Sequence, residues 1–383
     1  MQAPSPGALG VRPARRSVMD NQPRRVRYAV VGAGNIAQVA ILPAFAHAKE
    51  SSELVAIVSG DATKRAALRE RYSLAADGDY SEFERVLERS RAEAVYVATP
   101  NATHKEYTLR AAAAGRHVLC EKPLAPSETD CFAMDAACRK AGLKLMVAYR
   151  LHFERATLAA LELVRSGRLG DVKLFSSFFT HVVREGDIRQ DPSLAGGAAY
   201  DMGVYCINTA RNVFDAEPVS VTADIVEKNG TDDTTSVMLR FPGDRIAQFC
   251  ISNSVAGVSS YRIGGTEGDL RVEPAYEYVE ELVHYLTIDG KLTRESFSRG
   301  DQFAPEIKYF SDCVIAGSEP EPSAEEGRCD VRVVEAILAS AREHRPVELA
   351  PYRRSRRPSA GQAEHVRPVG KQTPVNAPGP SVK

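Results

Sequence analysis

The sequence carries no surplus charge of either sign. Its 49 Lys+Arg against 50 Asp+Glu leave a net charge of -1, so no global field draws the chain to nucleic acid or to an anionic membrane. It also lacks any Cys-x-x-Cys pair. The seven cysteines, Cys120, Cys131, Cys138, Cys206, Cys250, Cys313 and Cys329, are scattered and odd in number, which signals neither a metal site nor a disulfide framework and suits a reducing compartment. No apolar run approaches the roughly 18 residues that a membrane helix needs. Neither Arg15-Arg16 nor Arg24-Arg25 precedes an apolar stretch of the kind an export signal requires. The expectation is a cytoplasmic protein that acts on a small molecule, without metal, membrane or nucleic-acid partner. What is present is ordinary for that class: 383 residues, 44% hydrophobic and 26% charged, enough for about two domains of roughly 150 residues each.

Residues 1–25 and 351–383 are rich in Pro and Arg without hydrophobic periodicity and are read as a disordered N-terminal arm and a disordered tail. Residues 26–150 alternate short β-branched runs with helical segments, the pattern of a doubly wound α/β Rossmann domain with a parallel sheet. Strands are predicted at 26–31, 54–59, 94–98, 117–120 and 143–148. Pro43 is expected to kink the first helix or restart it. Residues 151–350 turn to longer strands, at 173–183, 219–228, 234–241, 245–252, 259–263 and 268–272, with turns at Asn229-Gly230, Pro242-Gly243 and Asp289-Gly290. They predict an α+β domain with a large, mostly antiparallel open sheet. Such a sheet needs a cover, which points to a homodimer or homotetramer formed through its open face. A helix over 331–341 is expected to pack against the first domain or at the domain boundary.

The first strand runs into Gly32-Ala33-Gly34-Asn35-Ile36-Ala37, a G-x-G-x-x-A turn opening a helix. Gly32 permits the tight turn, Gly34 lets the backbone approach a pyrophosphate, and the helix N-terminus attracts the anion. The context predicts a dinucleotide site that includes Gly32, Gly34, Asn35 and Ile36. The second strand ends at Ser59, where an NAD-preferring fold carries a carboxylate for the ribose hydroxyls. Ser59 is able to donate to a 2′-phosphate, and Lys64 and Arg65 follow, so NADP is favoured. Asp61 keeps NAD open as the alternative.

Further candidates fall at later strand ends, where ligands of parallel sheets bind. Thr99, Pro100 and Asn101 close one strand, with His104 on the next helix; Glu121 and Lys122 close another. All six join the expected cofactor set, although His104 also suits a helix-capping role. Arg150 is read as a substrate contact, with a structural ion pair as the plainer alternative, and His181 as lining the pocket. His47 and His117 carry no signal, and Tyr309 is read as interdomain packing. The run from Ala195-Gly196-Gly197 to Tyr205 opens another helix, with Asp201 and Tyr205 four residues apart on one face.

Glu121-Lys122-Pro123 after the glycine turn, joined to Gly-Gly-x-x-x-Asp-x-Gly-x-Tyr, resembles the Gfo/Idh/MocA oxidoreductase family over about residues 26–350. The chain is most similar to the glucose-fructose oxidoreductase branch, through Val58-Ser59-Gly60, Met146-Val147-Ala148-Tyr149-Arg150 and Tyr205, where many members carry His. The resemblance implies that Lys122 holds the reacting oxygen, Asp201 anchors the sugar and Tyr205 exchanges the proton. Chemistry agrees, since hydride loss from a C–H requires a base within hydrogen-bond reach of the hydroxyl. A phenol of pKa about 10 suits that task when a positive charge lies beside it, and Lys122 supplies one. The branch also holds its cofactor partly through an N-terminal arm, and it has a longer loop where this chain has Asp187–Asp191. The expected activity is NADP-dependent hydride transfer at the alcohol or carbonyl of a sugar or polyol, as an aldose dehydrogenase, a sugar reductase or a transhydrogenase between two sugars. The alternatives are an NAD-linked inositol or dihydrodiol-type dehydrogenase and a non-catalytic nucleotide-binding sensor of the same fold.

Overall fold

The computed structural model describes residues 24–381; most of the expected N-terminal arm therefore lies outside the described residues. Six parallel strands, β1 (Val26–Val31), β2 (Ser52–Val58), β3 (Ala76–Gly78), β4 (Ala94–Val97), β5 (His117–Glu121) and β6 (Leu145–Ala148), form a sheet of order β3-β2-β1-β4-β5-β6. Their runs of Val, Ile and Ala are buried on both faces, as helices on both sides of a parallel sheet require. The short β3 has no apolar run of its own to announce it. Pro43 has the expected effect: lacking an N–H, it follows a π-helical widening over Ala37–Ile41.

The second sheet has nine strands: β7 (Val172–Thr180), β8 (Ser220–Lys228), β9 (Thr231–Phe241), β10 (Arg245–Ser252), β11 (Val258–Gly265), β12 (Gly268–Val272), β13 (Leu282–Ile288), β14 (Lys291–Phe297) and β15 (Val347–Glu348). Their order is β14-β13-β12-β11-β7-β10-β9-β8-β15, antiparallel except for the parallel β7/β10 pair. β13 and β14 flank the anticipated Asp289-Gly290 turn, but β14 is exposed along most of its length and has no alternating apolar signature. The α/β Rossmann domain followed by a mostly antiparallel open sheet is thus the observed architecture.

Two boundaries need correction. The helix Phe303–Ala316 leaves the second domain and completes the first: Phe303, Ile307, Phe310 and Val314 join the core beneath β1, and the Tyr28 hydroxyl lies 2.8 Å from Ser311 Oγ. The expected disordered tail over 351–383 is also overturned, since residues 351–381 follow a defined path. Arg354 is 4% exposed and enters a buried ionic cluster with Glu217 and Glu326, around Arg211 and Asp330. Farther on, Lys308 pairs with Glu364 at 2.8 Å, and Asp301 N donates to Val366 O at 2.9 Å. Low hydrophobicity hid this order because polar side chains and backbone groups hold the segment, leaving no apolar period to read. The helix Ala324–Glu343 packs against both Glu128–Lys140 and β8, at the domain boundary as anticipated.

Candidate active site

The glycine turn sits where β1 leaves the sheet. Gly32 has φ +98°, and a Cβ there would stand 2.3 Å from Ala98 O, so glycine is required by both conformation and space. A Cβ on Gly34 would meet nothing within 4 Å. That open cradle in front of Asn35 and Ile36, at the mouth of the helix, fits a pyrophosphate. At its far wall the buried Thr99 Oγ1 has no hydrogen-bond partner among the described residues, a polar atom that a bound dinucleotide would satisfy. Thr99 and Pro100 close β4, and Asn101 Nδ2 donates across the cleft to Ala195 O at 2.8 Å.

At the end of β2, Ser59 is 4% exposed and its carbonyl accepts from Arg65 Nη1. Arg65 also faces Asp77 and Asp79, each at 3.6 Å, so its guanidinium braces the strand end. Asp61 caps the helix Ala62–Tyr72 by accepting from Lys64 N at 3.0 Å, and its other oxygen accepts from Asn376 at 3.1 Å. The carboxylate that would serve a ribose is therefore already engaged. His104 needs correction as a cofactor ligand. It is 1% exposed, with Nδ1 2.8 Å from Pro123 O and Nε2 2.9 Å from Thr99 O; a neutral ring donates to only one of these carbonyls, but both nitrogens face protein between the β4 and β5 loops.

Lys122 leaves the end of β5 and donates to Asp201 O at 3.0 Å and to Asp201 Oδ1 at 3.3 Å, with Nζ 4.7 Å from the Tyr205 ring centroid. Burial works against its charge, but Tyr205, Asp201 and Glu121 outweigh burial and raise its pKa. Asp201 and Tyr205 ride on one helix, π-turned over Ala199–Gly203 and regular over Val204–Phe214. Asp232 fixes the start of that helix by accepting from Ala199 N at 2.6 Å. Gly197, at φ +126°, makes room for it, since a Cβ there would fall 1.9 Å from Asp232 Oδ1. Burial pushes the Asp232 carboxyl up to about 6.

Asp201 carries more partners than its spacing revealed. Arg189 Nε donates to Oδ2 at 2.8 Å, and His181 Nε2 lies 3.8 Å from the same oxygen. Burial opposes its charge, yet Arg189, Lys122 and His181 hold its pKa well below the usual carboxylate range. With both oxygens engaged by cations, Asp201 positions Lys122 and Arg189, and a sugar hydroxyl must compete for it. Arg189 was missed: it lies in the Asp187–Asp191 stretch, where chain spacing gave no sign that it turns back toward Asp201.

Arg150 lies against Tyr205. It is 6% exposed and donates to Gln302 and to the Tyr276 carbonyl, with its guanidinium carbon 5.0 Å from the Tyr205 centroid. It braces the Tyr205 ring, and since these two acceptors take only part of its five N–H donors, the expected substrate contact stays open beside that structural role. Next to Lys122 in the chain, Glu121 meets Tyr96, whose Oη lies 2.9 Å from Glu121 and 3.1 Å from Glu306. One phenol proton serves one of these contacts. Burial, reinforced by Glu121, raises the Glu306 pKa well above its ordinary value. Glu306 sits on the helix from the second domain and gave no signal in sequence.

The family described as an oxidoreductase family with an NAD-binding Rossmann fold, GFO_IDH_MocA, matches residues 26–149, and the GFO/IDH/MocA C-terminal domain matches 157–271. The D-xylose 1-dehydrogenase [NADP(+)] of Haloarcula marismortui is 30% identical over 343 residues, which are 85% of this chain and 93% of that protein. The trans-1,2-dihydrobenzene-1,2-diol dehydrogenase of Mus musculus is 28% identical over 317 residues, 78% of this chain and 90% of the relative. The crystal structure of aldose-aldose oxidoreductase from Caulobacter crescentus, complexed with glycerol, superposes with a TM-score of 0.81 at 35% identity, covering 85% of this chain and all of that one. Two matched domains in the same order and full-length relatives establish what the motifs suggested: the chain belongs to the GFO/IDH/MocA family of oxidoreductases.

Proposed function

We propose that this protein is an NADP-dependent oxidoreductase acting on the alcohol or carbonyl group of a sugar or related polyol, with Lys122, Asp201 and Tyr205 as its polar reaction centre. The observation that carries the reading is the Lys122 ammonium, held by Asp201 and over the Tyr205 ring, at the same carboxyl edge of the sheet as the Gly32–Gly34 cradle. The nicotinamide of a bound cofactor would accept or return the hydride. Lys122 holds the substrate oxygen and offsets its developing negative charge. Tyr205 exchanges the hydroxyl proton at its phenol oxygen. Asp201 keeps the ammonium in register, and His181 and Arg189 border the substrate side. Ser59 and Lys64 suit a 2′-phosphate, and the engagement of Asp61 by Lys64 N and Asn376 disfavours ribose recognition through that carboxylate. The relatives named for NADP and for aldoses support this choice.

The seven cysteines are free, which supports a cytoplasmic setting, and no described helix is long and apolar enough to cross a membrane. Leu174 (45% exposed), Phe178 (48%) and Met238 (36%) stand on the outer face of the second sheet, which supports a homodimer or homotetramer formed there.

The deciding experiment follows absorbance at 340 nm with NADP+ or NAD+ and a panel of aldoses, ketoses and polyols. Aldose- or polyol-dependent reduction with a higher kcat/KM for NADP+ is expected. Absence of turnover with every sugar, in both directions, would favour the sensor reading instead.

A further inference from the structure

The chain end runs along the dinucleotide groove. The Arg71 guanidinium donates to Thr373 O at 3.3 Å. Gln38 makes a reciprocal pair with Val375: Nε2 donates to its carbonyl at 3.0 Å, and Oε1 accepts from its amide at 2.7 Å. Asn376, at φ +46°, turns its side chain to donate to Asp61, and Asn35 Nδ2 donates to Ala377 O at 2.9 Å. The segment then crosses to the other domain. Arg184 N donates to Pro380 O at 2.7 Å, and Val183 bridges Ser381 beside the His181 end of β7.

This path begins at the helix that follows Ser59, passes the glycine turn and ends at the substrate-side loop, the direction in which a dinucleotide spans a Rossmann domain. The contacts with Asn35, Gln38 and Asp61 engage side chains on the rim, while the cradle in front of Gly34 stays open. We infer that residues 373–381 form an outer wall of the NADP site, a clasp closed by Gln38–Val375, Asn35–Ala377 and Asp61–Asn376 that slows release of the cofactor. The inference rests on the dinucleotide-binding reading above and adds the segment that covers the bound molecule. Its physics is favourable: individual hydrogen bonds of this kind are weak in net terms, so the clasp opens without disturbing the core, yet several must break together before the groove is clear. The anchors at Arg354, Glu364 and Val366 keep the segment close, which raises its effective concentration at the rim.

The test uses the full chain, a truncation lacking residues 372–383, and Val375→Pro, which removes the amide that donates to Gln38 without shortening the chain. Bound NADPH is chased with excess NADP+ in a stopped-flow fluorimeter, and nucleotide carried through gel filtration is quantified. Release about tenfold faster in the truncation and several-fold faster in Val375→Pro is expected, with the melting temperature of the nucleotide-free protein unchanged. Unaltered release in both variants would overturn the clasp while leaving the oxidoreductase reading intact. Tighter binding after truncation would overturn it too, by making the segment a plug. Failure of the full chain to bind either nucleotide would remove both readings.

Discussion

Lys122 meets Tyr205 through the face of its ring, its ammonium nitrogen 4.7 Å from the centroid. The hydrogen bonds of the lysine go instead to Asp201. In the proposed mechanism this leaves the rim of the phenol to address a substrate hydroxyl and divides the work, with charge from one residue and proton exchange from the other. Phe179 and Tyr276 pack on the same ring, with centroids 5.7 and 6.1 Å away.

That division is testable by two substitutions. Tyr205→Phe keeps the packed ring and should lower kcat about 10²- to 10³-fold, and Lys122→Ala should do at least as much. Dinucleotide binding, followed by fluorescence titration, should survive in Tyr205→Phe. A kcat equal to that of the unmodified protein in either variant would remove the mechanism.

The two glycines of the turn should fail in different ways. Gly32→Ala forces a Cβ against the Ala98 carbonyl at a positive φ, so thermal denaturation should show a loss of about 2 kcal/mol or more. Gly34→Ala places its methyl in open space; its melting temperature should hold while its affinity for NADP drops. Equal melting and equal affinity in both would mean that the cradle is not a phosphate site.

His284 gives a pH dependence with a definite sign. Burial pushes its pKa down to about 4, and its Nε2 has no partner among the described residues. The unfolded chain takes up the proton near pH 6.5, whereas the folded chain resists until about 4. Its contribution is therefore complete above pH 6.5 and is lost as pH falls toward 4, by about 3 kcal/mol in all. Urea denaturation of His284→Leu between pH 7 and 4.5 should show a shallower decline than the parent protein; parallel curves would refute the assignment.

The outer face of the second sheet predicts a change in assembly. Phe178→Glu combined with Met238→Glu should lower the mass seen in analytical ultracentrifugation, with the circular dichroism spectrum unchanged, because both side chains point away from the core. An unchanged mass would place any interface elsewhere.

Much of the fold was legible because its signals are local. The glycine turn follows directly on an apolar strand, Glu121-Lys122-Pro123 closes another, and Asp201 and Tyr205 share a helix face through a spacing of four residues. Of the strands that escaped notice, β3 is short and β14 exposed, so both lack the apolar period that reveals their neighbours. His104 was credited with a ligand contact because its position is right; burial between two backbone carbonyls reassigns it to support.

The sequence by itself determined the family and the two-domain order, and it supplied the candidates proposed for the cofactor cradle and the reaction centre, since each is written in contiguous motifs or helical spacing. Only the tertiary structure decided that Arg189 shares Asp201 with Lys122, that Glu306 shares the Tyr96 hydroxyl with Glu121, and that the chain end returns to Asn35. These contacts join residues up to 342 positions apart, and they form through the mutual packing of elements whose local patterns are silent about their distant partners.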